Sequence, residues 1–219
     1  MSYVRTRRGR YRRSVTSSQT APQNPASGDT KPGGEYKTMV TWRGVGTDRL
    51  EQVRLNVNGA RVKAYGRIIA SANGDHEPFS ASYELVTNDA GITKRLSVHL
   101  VRAVGEMQLT ITRDGESNWL VQTPSGTVRS DFHGAQDVDL ALSPMFNALP
   151  IRRHGLAGGT GEIDVPVVYL YLPEAAVEAA TLHYTAGTEI GVVSPVANST
   201  ITVDDHGFVV DYAGLAERV

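Results

Sequence analysis

Apolar and polar residues alternate with a period of two along most of this chain. KTMVTWR (37–43), EQVRLNVN (51–58), RVKAYGRIIA (61–70), SASYELVT (80–87), KRLSVHLVR (94–102) and EMQLTITRD (106–114) each place apolar side chains on one face. Successive side chains of a strand point to opposite faces, so this pattern predicts half-buried strands. Turn chemistry separates them: Asn58-Gly59, Asn88-Asp89-Ala90-Gly91, Asp114-Gly115 and Ser125-Gly126. Asn-Gly between two alternating runs is a strong hairpin signal. NWLVQTP (118–124), TVRSDF (127–132), GEIDVPVVYLYLP (161–173), TLHYTAGTEIGVVS, NSTITVD and GFVVDY continue the series. Roughly a dozen short strands with such regular turns predict an all-β fold. A sheet of that length must curl, so the expectation is a long curled antiparallel sheet, a half-barrel or β-roll, with at most short helices.

Two stretches break the period. DVDLALSPMFNALPIRR (137–153) contains two prolines and no clean repeat, which predicts a loop with one helical turn near Ser143. EAAVEAA (174–180) is built of good helix formers and predicts a short helix or turn.

Composition divides the chain. Residues 1–34 hold seven basic residues and one acid, a charge of +6; the whole chain has 22 basic and 23 acidic residues, leaving 15 and 22, or −7, for the rest. The first segment is rich in Ser, Thr, Pro, Gln and Gly, with too few apolar residues to offset its conformational entropy. The expected organisation is therefore a disordered basic tail, 1–34, and one β-domain, 35–219. Arg5–Arg13 could make weak, non-specific contact with nucleic acid or anionic lipid. No apolar segment follows the arginines and no run is long enough to span a membrane, which, with zero cysteines, suggests a cytoplasmic protein.

The candidate chemistry gathers in the irregular stretch. If Asp137 and Asp139 lie on a strand, they share a face and each raises the pKa of the other. They suit acid/base work, or pairing with the adjacent Arg152 and Arg153. On a strand those two arginines would point to opposite faces, one turning inward to a carboxylate. The six histidines show no metal-ligand spacing, and GLAGGTG (155–161) lacks the Lys-Ser or Lys-Thr of a phosphate loop. No cofactor or metal is expected. The aliphatic, aromatic-poor composition fits either a solid interior or one lined for an alkyl chain.

Several of these stretches resemble one family of bacterial proteins, the glycolipid-binding family once classed as a domain of unknown function. They are Trp42, Ala64-x-Gly66, Tyr83-Glu84-Leu85, Lys94-Arg95, Asp137-Val138-Asp139-Leu140, Asn147 through Arg153, Val167-Val168-Tyr169, Tyr184-Thr185 and Asp211 through Leu215. The resemblance implies a curled sheet similar to that of the bacterial lipoprotein carriers. It implies, less directly, a non-catalytic binder of a glycolipid or other amphipathic lipid. It carries over no catalytic residue. Ala135 stands where a cysteine is expected in many relatives, which disfavours thiol chemistry. On this reading Arg152, Arg153, Asp137, Asp139 and Asn147 form the mouth of a site or the brace behind it, and Trp42, Tyr83, Tyr169 and Tyr184 its wall. The rivals are a hydrolase of a sugar or lipid ester using Asp137 and Asp139, and a structural module with a solid core.

Overall fold

The computed structural model describes residues 35–219. Residues 1–34, and with them the contact suggested for Arg5–Arg13, lie outside the described residues. Eight strands form an antiparallel meander: β1 (Glu35–Gly44), β2 (Arg49–Asn58), β3 (Arg61–Ala70), β4 (Phe79–Thr87), β5 (Thr93–Arg102), β6 (Gly105–Arg113), β7 (Trp119–Thr123) and β8 (Gly126–Ser130). Their inward residues follow the sequence pattern: in β3, Val62, Ala64, Gly66, Ile68 and Ala70 are buried and the residues between them exposed. The β2–β3 hairpin closes at Gly59, whose φ of +59° costs a residue without Cβ nothing.

The second half is β9 (Asp137–Leu140), a 3-10 turn at Pro144–Asn147, α1 (Ala148–His154), β10 (Glu162–Leu170), β11 (Val177–Thr185), β12 (Ile190–Val193), β13 (Asn198–Val203), β14 (Val209–Tyr212) and β15 (Ala216–Arg218). All fifteen strands join in one open sheet, ordered 8-7-6-5-4-3-2-1-15-14-13-12-11-10-9. The halves are sewn together where β1 pairs with β15, Trp42 opposite Arg218. All pairings are antiparallel except β9 on β10.

The irregular stretch corrects the expectation of a loop. Its first four residues are a parallel strand, and Ala148–His154 is a helix, so Arg152 and Arg153 project from a helix and not a strand. Pro150 sits in the first turn of α1, where its missing N–H removes no helical bond. Residues 143–151 are buried without interruption. They fill the roll: Met145, Phe146, Leu149 and Ile151 lie within the core formed by the inner sheet face. Burying each such side chain contributes about 1.5–3 kcal/mol, so this segment is part of the core. A second correction concerns 177–180; the expected turn is found at 172–174. Val177–Thr185 is a strand in a nine-residue ladder with β10, because pairing outweighs the modest helix preference of Ala and Glu.

Two hydrogen bonds tie the chain just ahead of β9 to the meander. Thr93 N–H of β5 donates to the Gln136 carbonyl ahead of β9 (3.0 Å), and Trp119 Nε1 donates to the Ala135 carbonyl (3.0 Å).

Candidate functional site

Among the described residues, polar chemistry gathers in an enclosed cluster of acids inside the roll and in an open cleft at the end of α1.

The enclosed cluster begins with Glu51 on β2. Period two puts it in phase with Val53, Leu55 and Val57, and so into the interior, where it is 2% exposed. Its Oε1 accepts hydrogen bonds from the Tyr83 hydroxyl (2.6 Å) and from Ser143 Oγ (2.6 Å). Tyr83 reaches it from β4 by crossing Gly66 of the intervening strand. A Cβ on Gly66 would stand 2.1 Å from the tyrosine ring, so only glycine leaves room. Burial pushes the Glu51 carboxyl up to about 7, against the lowering influence of Ser143, Tyr83 and Arg49.

Asp139 is the second acid. Burial, then the charge of Asp137, push it up to about 8, and Glu51 adds to the effect. Tyr169, Tyr184 and Tyr212 surround it electrostatically; burial and then its charge raise all three phenols. The Tyr184 hydroxyl donates to Asn147 Oδ1 (2.8 Å). Asp137 is fully buried and takes both guanidinium nitrogens of Arg153, Nη1 at 2.6 Å and Nη2 at 2.5 Å. Burial raises the Asp137 carboxyl even so, with Arg153 opposing. This fork ties α1 to β9.

The cleft has a volume of about 680 Å³ and lies between α1, the β2–β3 turn and the β13–β14 turn. Volumes of about 300–1,000 Å³ are usual for small-molecule sites. Val62, Leu149, Ile151 and Val203 give it apolar surface; Arg152, Arg153, Asp205 and His206 give it polar groups. Arg152 straddles it, donating from Nη2 to the Gly59 carbonyl (2.8 Å) and from Nη1 to the His206 carbonyl, with its guanidinium 5.2 Å from the Phe208 ring centre. Gly207 makes this possible, since a Cβ there would lie 2.7 Å from Arg152 Cγ. His206 stacks on Tyr36 at 3.9 Å. On its other side Arg153 lines a smaller hollow of about 200 Å³ with His154, Asp164 and Pro166.

Of the nine residues singled out in the sequence, Arg152 and Arg153 line the cleft. Asp137, Asp139, Asn147, Tyr169 and Tyr184 belong to the interior behind it, and Tyr83 to the Glu51 end of that interior. Trp42 stands apart at the β1–β15 seam, where Nε1 donates to the Val209 carbonyl (2.9 Å) and Arg218 lies over the ring. Glu51, His206 and Asp205 were not singled out. The phase of Glu51 was visible in the sequence; the other two belong to the Asp204–Gly207 turn, whose approach to α1 no local pattern marks.

An open antiparallel roll filled by its own helix and carrying a cleft beside that helix defines the class: an all-β, one-sheet protein with a plugged interior. The chain belongs to the family described as putative glycolipid-binding, whose profile matches residues 39–218. A crystal structure of a DUF1089 family protein from Pseudomonas aeruginosa superimposes with a TM-score of 0.62 at 21% identity, covering 91% of this chain and 100% of that one. At that identity the likeness establishes the fold. No curated protein matches the chain. Among the described residues, no helix is long and apolar enough to cross a membrane.

Proposed function

We propose that the protein is a non-catalytic binder of a glycolipid or related amphipathic lipid, with the polar head of the ligand in the cleft beside α1. The observation that carries this reading is the composition of the cleft: arginine, aspartate and histidine face apolar Val62, Leu149, Ile151 and Val203 within one space of about 680 Å³. Charge-assisted bonds from arginine suit phosphate or sugar oxygens, and the apolar surface suits the first carbons of an acyl chain. Residues 143–151 occupy the interior, so the acyl portion runs along the cleft and outward. Asp137 holds Arg153 in place from behind. Tyr83, Asn147, Tyr169 and Tyr184 support the plug on which α1 rests. The family description, glycolipid binding, points to the same ligand class.

The rival is a hydrolase working through Asp137 and Asp139. In its favour, burial pushes the Asp139 carboxyl up to about 8. Against it, Asp139 is enclosed and Asp137 is clamped by Arg153, so neither reaches a substrate in the cleft.

Native mass spectrometry after incubation with a glycolipid mixture tests the proposal. A discrete lipid adduct is expected. Ala60→Trp, at the exposed hairpin turn lining the cleft, fills the space and abolishes the adduct while circular dichroism stays unchanged. An adduct that survives Ala60→Trp removes the ligand from this cleft, and no adduct with any lipid overturns the reading.

A further inference from the structure

The outward face of β1, β2 and β3 departs from the rest of the surface in charge and in apolar content. The cross-strand register arranges its side chains in four rows: Lys37, Asn56, Lys63; Met39, Arg54, Tyr65; Thr41, Gln52, Arg67; and Arg43, Leu50, Ile69. With Arg61 at the end of β3, these strands point six cations outward. The one outward acid on them is Glu35, paired with Lys37. A face of +5 therefore sits on a body, residues 35–219, whose net charge is −7. Arg61 pairs with Asp89, but among the described residues no carboxylate lies within 4.0 Å of Arg43, Arg54, Lys63 or Arg67. Glu217 on β15 and the Glu84–Arg95 pair across β4 and β5 bound the face on either side.

The same face exposes large apolar side chains where a solvated strand would carry polar ones: Met39 is 59% exposed, Ile69 56%, Leu50 47% and Tyr65 46%. The shorter Thr41 and Ser82 leave a hollow of about 550 Å³ between them.

We propose that this face docks the protein on an anionic lipid bilayer. Apolar tips interleaved with unpaired cations match a membrane surface. Met39, Leu50 and Ile69 enter the boundary between headgroups and acyl chains, Tyr65 sits at headgroup level, and Arg43, Arg54, Lys63 and Arg67 meet phosphates. Protein interfaces exclude charge, lysine above all, from their centres, whereas here Arg54 lies between Met39 and Tyr65, Arg43 is in the row of Leu50 and Ile69, and the rows between and beside them carry Arg67, Lys37 and Lys63. The proposal goes beyond the cleft reading and stands without it, since no residue of the face lines the cleft.

Co-sedimentation of the full chain with phosphatidylcholine vesicles, with and without about one part in three of phosphatidylglycerol, tests it. Binding to the anionic vesicles is expected, with little to the neutral ones. The double variant Arg54→Gln, Arg67→Gln is expected to weaken it about 30-fold, from the loss of two surface cations. Leu50→Ser with Ile69→Ser is expected to weaken it about tenfold. Tyr65→Trp reads contact directly, its emission moving to the blue on anionic vesicles. Replacing the six arginines between Arg5 and Arg13 by glutamine separates the two basic regions: residual binding that still responds to Arg54 and Arg67 supports the docking face. Binding that disappears with those six arginines and ignores Arg54 and Arg67 overturns it. So does an unchanged Tyr65→Trp spectrum, or a homodimer in sedimentation velocity that Ile69→Ser dissolves.

Discussion

Asp139 and Glu51 bind protons that ordinary carboxyls have released at neutral pH. Burial is the main cause for both, raising Asp139 from 3.8 to about 8 and Glu51 from 4.5 to about 7. In the window from the unfolded values to the folded ones, the native state therefore holds more protons than the unfolded chain. Stability is greatest below the unfolded values and falls as pH rises through about 7 and about 8. The unfolding free energy from urea titrations is expected to drop between about pH 5 and about pH 9, by an amount on the order of a few kcal/mol. Asp139→Asn, a neutral isostere of the protonated acid, is expected to flatten much of this slope and to stabilise the protein at the alkaline end. An unchanged slope in that variant would place the proton uptake elsewhere. At this scale the sequence was half legible. Asp137 and Asp139 stood out because no strand pattern explained them. Glu51 did not, because a single charge within an alternating run looks like ordinary strand until its phase is counted.

The link between β9 and α1 depends on one ion pair. Arg153 is the charge that balances buried Asp137, and desolvation makes such a pair more costly to break than it is worth intact. Arg153→Ala is expected to cost about 3–5 kcal/mol in chemical denaturation. Arg153→Met combined with Asp137→Asn, which removes both charges, is expected to regain most of that loss. If the double variant is as unstable as the single one, the helix is held by packing and the charges are incidental. The two elements themselves were the least legible. Helix α1 has seven residues with a proline in its first turn, too short for a helical period to show. Strand β9 has four residues buried on both faces, so it shows no alternation. The segment 177–180 misled in the opposite way, since its alanines and glutamate favour a helix locally while the ladder with β10 requires a strand.

The molecule as a whole is one sheet wound around a segment of its own chain. Its strand content, curl and hairpins could be read from alternation and turn residues, because each depends on near neighbours. The β1–β15 seam, the parallel β9–β10 pair and the filling of the roll could not, because they join residues far apart in the chain. The cleft shares that origin: its walls come from Gly59, Gly91, α1 and the 203–207 turn, which meet only after the sheet has rolled.

The strand order has a genetic corollary. Taken as a circle, 9 through 15 followed by 1 through 8 is an unbroken run of neighbours, opened between β8 and β9. Glu35 and Val219, which bound the described residues, thus both belong to the middle of the sheet, with the Val219 amide bonded to the Thr41 carbonyl at 2.9 Å. A reordered gene that begins at Gly134, exposed between β8 and β9, and joins Val219 to Glu35 through a linker of about eight residues is expected to encode the same fold. Spectra and a cooperative melt like the parent's would show it. A permutant that fails to fold would mean that β1 must lead the chain for the seam to form.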